Sequence, residues 1–177
     1  MSQFTVFETV LGWMGLGRRC QHVGVVVLPQ SSRSLAENRL RSNPWLEATN
    51  EEVEPDAFGS LAERLRRYME GEHVPLDDPL DTSLWTGFRY RVWEATRLIP
   101  YGEVRSYGWV ARSIGQEKAS RAVGQALHNN PVPIIVPCHR VVGADGALVG
   151  FGGGCALKQR LIALEAGSQA VTSLDGK

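Results

Sequence analysis

Pro133-Ile134-Ile135-Val136-Pro137-Cys138-His139-Arg140-Val141-Val142 sets a thiol, an imidazole and a guanidinium side by side inside an apolar frame. Both flanks read as buried strand, interrupted at the Pro-Cys-His-Arg corner. A thiolate is a strong nucleophile, and a stiff frame can hold one in place. The same residues fit a plainer reading, because unpaired cysteine is among the most buried residue types and packs as a small hydrophobe. What surrounds the corner decides between the two.

Upstream, Lys118 to His128 carries Ala119, Ala122, Val123, Ala126 and Leu127 at helical spacing. Lys118, Arg121, Gln125 and His128 lie on the opposite face. A shorter helix, Tyr107 to Ile114, precedes it, with Ser106 as cap and Gly115 as stop. Joined by Gly115-Gln116-Glu117, the two make a helix-turn-helix candidate; an ordinary helical hairpin with a solvated face has the same pattern. One detail favours DNA. Ala119, Ser120, Ala122, Gly124 and Ala126 leave the second helix smooth, and Arg121 stands up from it as a long cation suited to entering a groove or a base stack. Before these helices, Phe88, Val92, Ala95, Thr96 and Ile99 recur at helical spacing until Pro100-Tyr101-Gly102 ends the run.

Downstream, Gly143-Ala144-Asp145-Gly146 is a turn between extended pieces, giving a hairpin or wing. Gly150-Phe151-Gly152-Gly153-Gly154 is nearly free of side chains, so a ligand could touch its backbone. A last helix, Ala156 to Ala166, has the apolar stripe Leu157, Leu161 and Leu164, and Glu165 lies on that stripe. A carboxylate turned toward a core needs a partner, and His139 is the one to propose. At a frayed helix end the same carboxylate would be solvated.

The first half is less informative. Phe4 to Leu11 and the Val-rich His22 to Leu28 read as strands, with Gly12, Gly15 and Gly17 as punctuation between them. Residues 29–56 read as loop or short irregular pieces, Ala57 to Glu70 as a helix ending at Gly71, and Glu72 to Ser83, with Pro75 and Pro79 among its acids, as a linker. Trp45, Met14 and Cys155 read as structural.

A chain of 177 residues with 43% hydrophobic and 21% charged residues can bury a core as one domain or as two small ones. Three cysteines without a C-x-x-C pair imply no disulfide framework, and a reducing cytoplasm is the compartment that fits best. No signal peptide is read at the start, and every apolar run is too short to cross a bilayer. Formal net charge is +0, but unevenly spread: residues 1–84 hold eight basic against thirteen acidic side chains, residues 85–167 ten against five. The basic half is the one to look to for a polyanionic partner.

The second half resembles the O6-alkylguanine-DNA alkyltransferases, the methylated-DNA–protein-cysteine methyltransferases. The likeness is carried by Phe88-x3-Val92-Trp93, Ile99-Pro100-Tyr101-Gly102, Ser106-Tyr107, Arg121-Ala122-Val123-Gly124, Asn130-Pro131, Pro137-Cys138-His139-Arg140-Val141, Gly150 to Gly154, Lys158 and Glu165. It covers about residues 85–167. The first half is similar only in outline to that family's ribonuclease-H-like domain.

The resemblance implies an α+β fold: a ribonuclease-H-like antiparallel sheet domain at 1–78, then a mostly helical winged helix-turn-helix domain at 79–177 that binds DNA and transfers the alkyl group. It implies that Cys138 receives the group, that His139 acts through a water as base, and that Glu165 orients the imidazole. Asn130 supports the turn holding the cysteine loop. Tyr107 crowds a phosphate so that the nucleotide rotates, and can protonate the guanine. Arg121 fills the gap left by the flipped base, and Phe151 and Gly152 line its pocket. Ser106, Arg140 and Lys158 join these as DNA- or base-binding positions. The partner implied is double-stranded DNA bearing O6-alkylguanine (and O4-alkylthymine), met through the minor groove by a cytoplasmic monomer without an obligate protein partner or membrane.

These residue types suit the chemistry. The target is an sp3 carbon on guanine O6, displaced in line by sulfur. A free thiol with a pKa of about 8.5 is only a few per cent ionised at neutral pH, so a neighbouring base must raise that fraction. A stacked guanine cannot reach a recessed thiol, and flipping it out costs a few kcal/mol. The product thioether resists water, which makes transfer stoichiometric. Phe151 stands where many family members carry Tyr, and Gly152 where some carry Ser. Cys20 and His22 lack two further ligands at a convincing spacing, so no zinc and no other cofactor is expected. Three rivals remain open on the residues alone: a non-reacting lesion sensor, a winged-helix regulator and a Cys-His hydrolase.

Overall fold

In the computed structural model the described residues are 2–47 and 50–167, so the last ten positions of the expected second domain lie outside them. Their contacts divide the chain into two compact units, one of Met1–Leu84 with Pro131–Pro133, the other of Trp85–Asn130 with Ile134–Lys177. The class is α+β.

In the first unit β1 (Ser2–Thr9), β2 (Gly12–Arg19) and β3 (His22–Gln30) form an antiparallel meander. β4 (Asn50–Glu52) joins the far side of β1 in parallel, so the sheet runs β3-β2-β1-β4 and is antiparallel but for that short edge strand. Helix α1 (Arg33–Arg41) packs on it, burying Ala36 and Leu40 against Phe4, Val6, Val25 and Val27. Helix α2 (Leu61–Met69) turns Leu61, Ala62, Leu65, Tyr68 and Met69 inward at helical spacing.

Three expectations are corrected here. Gly12, Gly15 and Gly17 do not interrupt the chain; they belong to β2. A Cβ on Gly15 would sit 2.5 Å from a Leu40 methyl, and one on Gly17 2.7 Å from a Leu46 methyl, so the bare backbone is what lets those leucines lie against the strand. Residues 29–56 are not all loop: Ser32 Oγ accepts from Leu35 N and starts α1 in a polar stretch with little apolar signal. The linker at 72–83 is partly laid along β3, since Val23 N donates to Pro79 O and Asp81 N to Val23 O.

The second unit is helical. α3 (Gly87–Arg97) buries Val92, Trp93, Ala95 and Thr96, and Trp93 Nε1 donates to Ala126 O at 3.0 Å. α4 (Tyr107–Ser113) and α5 (Ser120–His128) follow as the expected helix pair, Ser106 Oγ accepting from Trp109 N and Gly115 (φ 72°) reversing the chain. α6 (Cys155–Ala166) closes the unit. The strands expected around the corner are nearly absent. Residues 134–135 form a turn, Cys138–Arg140 a single turn of 3-10 helix, and only β6 (Val141–Val142) is extended. β6 pairs in parallel with β5 (Arg105–Ser106), so no wing hairpin of strands forms among the described residues; Gly143 N closes a tight turn onto Ala147 O instead.

Candidate active site

A 3-10 helix has three residues per turn, so Cys138, His139 and Arg140 point in three directions about 120° apart. That geometry lets one tripeptide serve a thiol on one side and an ionic pair on another. Ile134 enters the preceding turn at φ 76°, a left-handed conformation that a β-branched residue rarely adopts.

Cys138 is 6% exposed. Asn130 Nδ2 donates to its Sγ at 3.2 Å and to Val136 O at 2.9 Å. Burial pushes the thiol up; the Asn130 hydrogen bond, the Lys158 ammonium and two backbone N–H groups pull the other way without overcoming it. The sulfur therefore rests protonated and needs a base.

His139 is fully buried, and its Nε2 lies 2.7 Å from Glu165 Oε1. A carboxylate only accepts, so the neutral ring carries its proton on Nε2 and its acceptor lone pair on Nδ1. Burial holds the imidazole below its ordinary range; Glu165 opposes this, and the Arg140 and Lys158 cations add to it. The resting ring is neutral, the form a proton acceptor requires.

Glu165, 7% exposed, is not a frayed helix end. Arg140 reaches it with Nε at 2.8 Å and Nη2 at 2.9 Å, and Gly102 N donates at 3.1 Å. With His139 this makes four N–H groups on two oxygens, about the number a carboxylate can accept. Gly102 takes φ 78°, which favours glycine, and a Cβ there would lie 3.2 Å from Glu165 O.

Arg140, expected among the DNA- or base-binding positions, has a side chain 11% exposed and turned inside onto Glu165 and Ile99 O (2.6 Å). Lys158, 1% exposed, is also inside, donating to Val141 O (2.5 Å) and Val149 O (3.2 Å), with its Nζ 3.4 Å from Tyr107 Oη. Burial lowers its ammonium pKa. Tyr107 Oη donates to Val149 O at 2.7 Å, and burial raises the phenol.

Tyr107 also lines a cavity of about 400 Å³ with Ser120, Arg121, Gly124, Gln125, His128, Val149 and Gly150. Arg121 is exposed there, and a Cβ on Gly124 would come within 3.8 Å of the Tyr107 ring. The neighbouring Phe151 is half-buried and Gly152 exposed, while the Ser106 hydroxyl is engaged as the helix cap. Sequence reasoning missed the direct contact of Asn130 with sulfur and the part of Ile99 and Gly102 in enclosing the ion pair. The stop signal Pro100-Tyr101-Gly102 was the available hint.

Residues 87–167 match the family model described as 6-O-methylguanine DNA methyltransferase, DNA binding domain. The methylated-DNA–protein-cysteine methyltransferase of Methanosarcina acetivorans is 41% identical over 145 residues, 81% of this chain and 92% of that protein. The chain belongs to the methylated-DNA–protein-cysteine methyltransferases. The Mycolicibacterium paratuberculosis member is 51% identical over 111 residues, 63% of this chain and 67% of its own. Among solved structures, that of Mycobacterium tuberculosis OGT in complex with DNA superposes with a TM-score of 0.76 at 37% identity, covering 93% of this chain and 92% of the other. As a methyltransferase of this family the chain is a DNA-repair protein acting by alkyl transfer. No helix among the described residues is long and apolar enough to cross a membrane.

Proposed function

We propose that the protein moves the alkyl group of O6-alkylguanine, and of O4-alkylthymine, in double-stranded DNA onto Cys138, once per molecule and without a cofactor. The observation that carries this reading is the buried thiol beside an imidazole whose Nε2–H is held by a buried carboxylate. His139 takes the thiol proton through a water. Sulfur attacks the alkyl carbon, the S–C bond forms as C–O6 breaks, and the bonding pair leaves on guanine. Tyr107 supplies or directs the proton that neutralises the leaving base.

DNA enters through the minor groove at residues 79–177, with residues 1–78 as the supporting domain. The smooth α5 surface at Gly124 and the exposed Arg121 support this, as does the complex of the Mycobacterium tuberculosis relative with DNA. Arg121 fills the vacated stack, Tyr107 drives the rotation, and Phe151 and Gly152 border the base. A cytoplasmic monomer would suffice.

The test is an intact mass and a peptide map after incubation with a duplex holding one O6-methylguanine. One methyl on the Cys138 peptide, never more than one per molecule, is the expected result. An unmodified protein, or a product released with turnover, overturns the reading.

A further inference from the structure

The transfer chemistry above gives the buried guanidinium of Arg140 no part. Arg140 grips Glu165 with two nitrogens, donates its third to Ile99 O, and lies 5.7 Å over the Tyr101 ring. Such a bidentate fork fixes a carboxylate in one orientation. It also cancels its charge. An imidazole against a lone buried carboxylate is drawn toward the charged form, whereas one against a neutral carboxylate–guanidinium pair is not.

Among the titratable and charged groups around His139, Glu165 and Lys158 come from α6 and Cys138 and Arg140 from its own turn; Tyr101 of the α3–α4 connection lies against Arg140, and Tyr107 stands behind Lys158. Both cations, Arg140 and Lys158, disfavour an imidazolium, and Glu165 favours one.

We propose that Arg140 is a positioning residue of the transfer reaction: by fixing and neutralising Glu165 it keeps His139 an uncharged proton acceptor, so that transfer persists into mildly acidic solution. This rests on the alkyl-transfer reading. In the step it governs, the thiol proton passes to the imidazole, leaving thiolate and imidazolium beside a pair whose own charges cancel.

Two readouts separate this role from that of a mere strut. The first is the NMR titration midpoint of the His139 ring, assigned by its loss in His139→Gln. The second is the ratio of transfer rates at pH 6 and pH 8.5 with the free base O6-benzylguanine, which needs no DNA. Arg140→Met should raise the midpoint by about one pH unit or more and lower the rate ratio about tenfold relative to the parent. The double variant Arg140→Met/Glu165→Gln, which strands no buried charge, should return the midpoint to within about half a unit of the parent. An Arg140→Met protein slowed equally at both pH values, with an unmoved midpoint, overturns the proposal. If that variant does not fold, a double-variant midpoint more than about one unit from the parent overturns it. Parent protein that takes no alkyl group from any donor sinks the transfer reading, while the NMR midpoints still decide the role of Arg140.

Discussion

Asn130 and Cys138 are joined by a side-chain N–H directed at the sulfur across 3.2 Å, from the same nitrogen that donates to Val136 O. The amide therefore shapes the loop and favours a charge on the atom it shapes the loop around.

Removing it should have a signature that a loosened loop would lack. A hydrogen bond to a charged acceptor contributes about 1.5–3 kcal/mol, so Asn130→Ala should slow transfer about 10- to 100-fold near neutral pH. Because the lost donor had favoured the thiolate, the variant's rate should climb further than the parent's as pH rises toward 9. Transfer rates across that range check it; a constant ratio between the two proteins would leave Asn130 with only its structural part.

Ile134 offers a test of stored strain. It is 2% exposed yet held at φ 76°. Ile134→Ala loses buried surface and keeps the conformation, at about 2–5 kcal/mol. Ile134→Gly loses slightly more surface but releases a conformation that costs about 1–3 kcal/mol. The glycine variant should therefore be the more stable of the two, the reverse of the usual order, as read by urea midpoints at equal m.

Tyr107 and Arg121 should matter according to whether the base is stacked. Both line the cavity beside α5. Tyr107→Ala and Arg121→Ala are expected to slow transfer from a duplex at least about tenfold more than from O6-benzylguanine, because only the duplex requires a nucleotide to be flipped. Equal slowing on both substrates would remove them from the flipping step.

Much of this site was legible before the fold. Periodicity placed α5, because small and apolar residues alternate with charges at a helical period, and the Ser106 cap and Gly115 stop placed its neighbour α4. The inward stripe of α6 pointed Glu165 toward His139. What was hidden has physical causes. Valine and isoleucine around Cys138 suggest strands, but Pro133 and Pro137 lack N–H donors and Ile134 is left-handed, so the corner folds as turns. Arg140 looks like a DNA contact in any basic segment; only the meeting of Ile99, Gly102 and Glu165, distant in sequence, takes it inside. β2 was concealed by glycines that serve Leu40 and Leu46, and its turn into β3 by Cys20 and Gln21, which take positive φ without glycine.

The buried imidazole also sets how the fold meets acid. In the unfolded chain His139 takes a proton near its ordinary value of about 6.5, whereas burial holds the folded ring below that. Between those two values the unfolded state binds one more proton than the folded state, so stability is full above about pH 6.5 and falls as pH drops through the window. The loss should approach about 1.4 kcal/mol per pH unit at its steepest. His139→Gln keeps an amide to face Glu165 but cannot take the proton, so its stability should be flatter over the same window. Asp81 is no competitor there. Burial tends to raise its carboxyl, but hydrogen bonds from Ser83 and Arg19 outweigh this and hold it below its ordinary value of 3.8, so its own loss comes at lower pH. Urea unfolding of both proteins at intervals from pH 7.5 to 5 checks the assignment; parallel curves would mean that some other group carries the acid response.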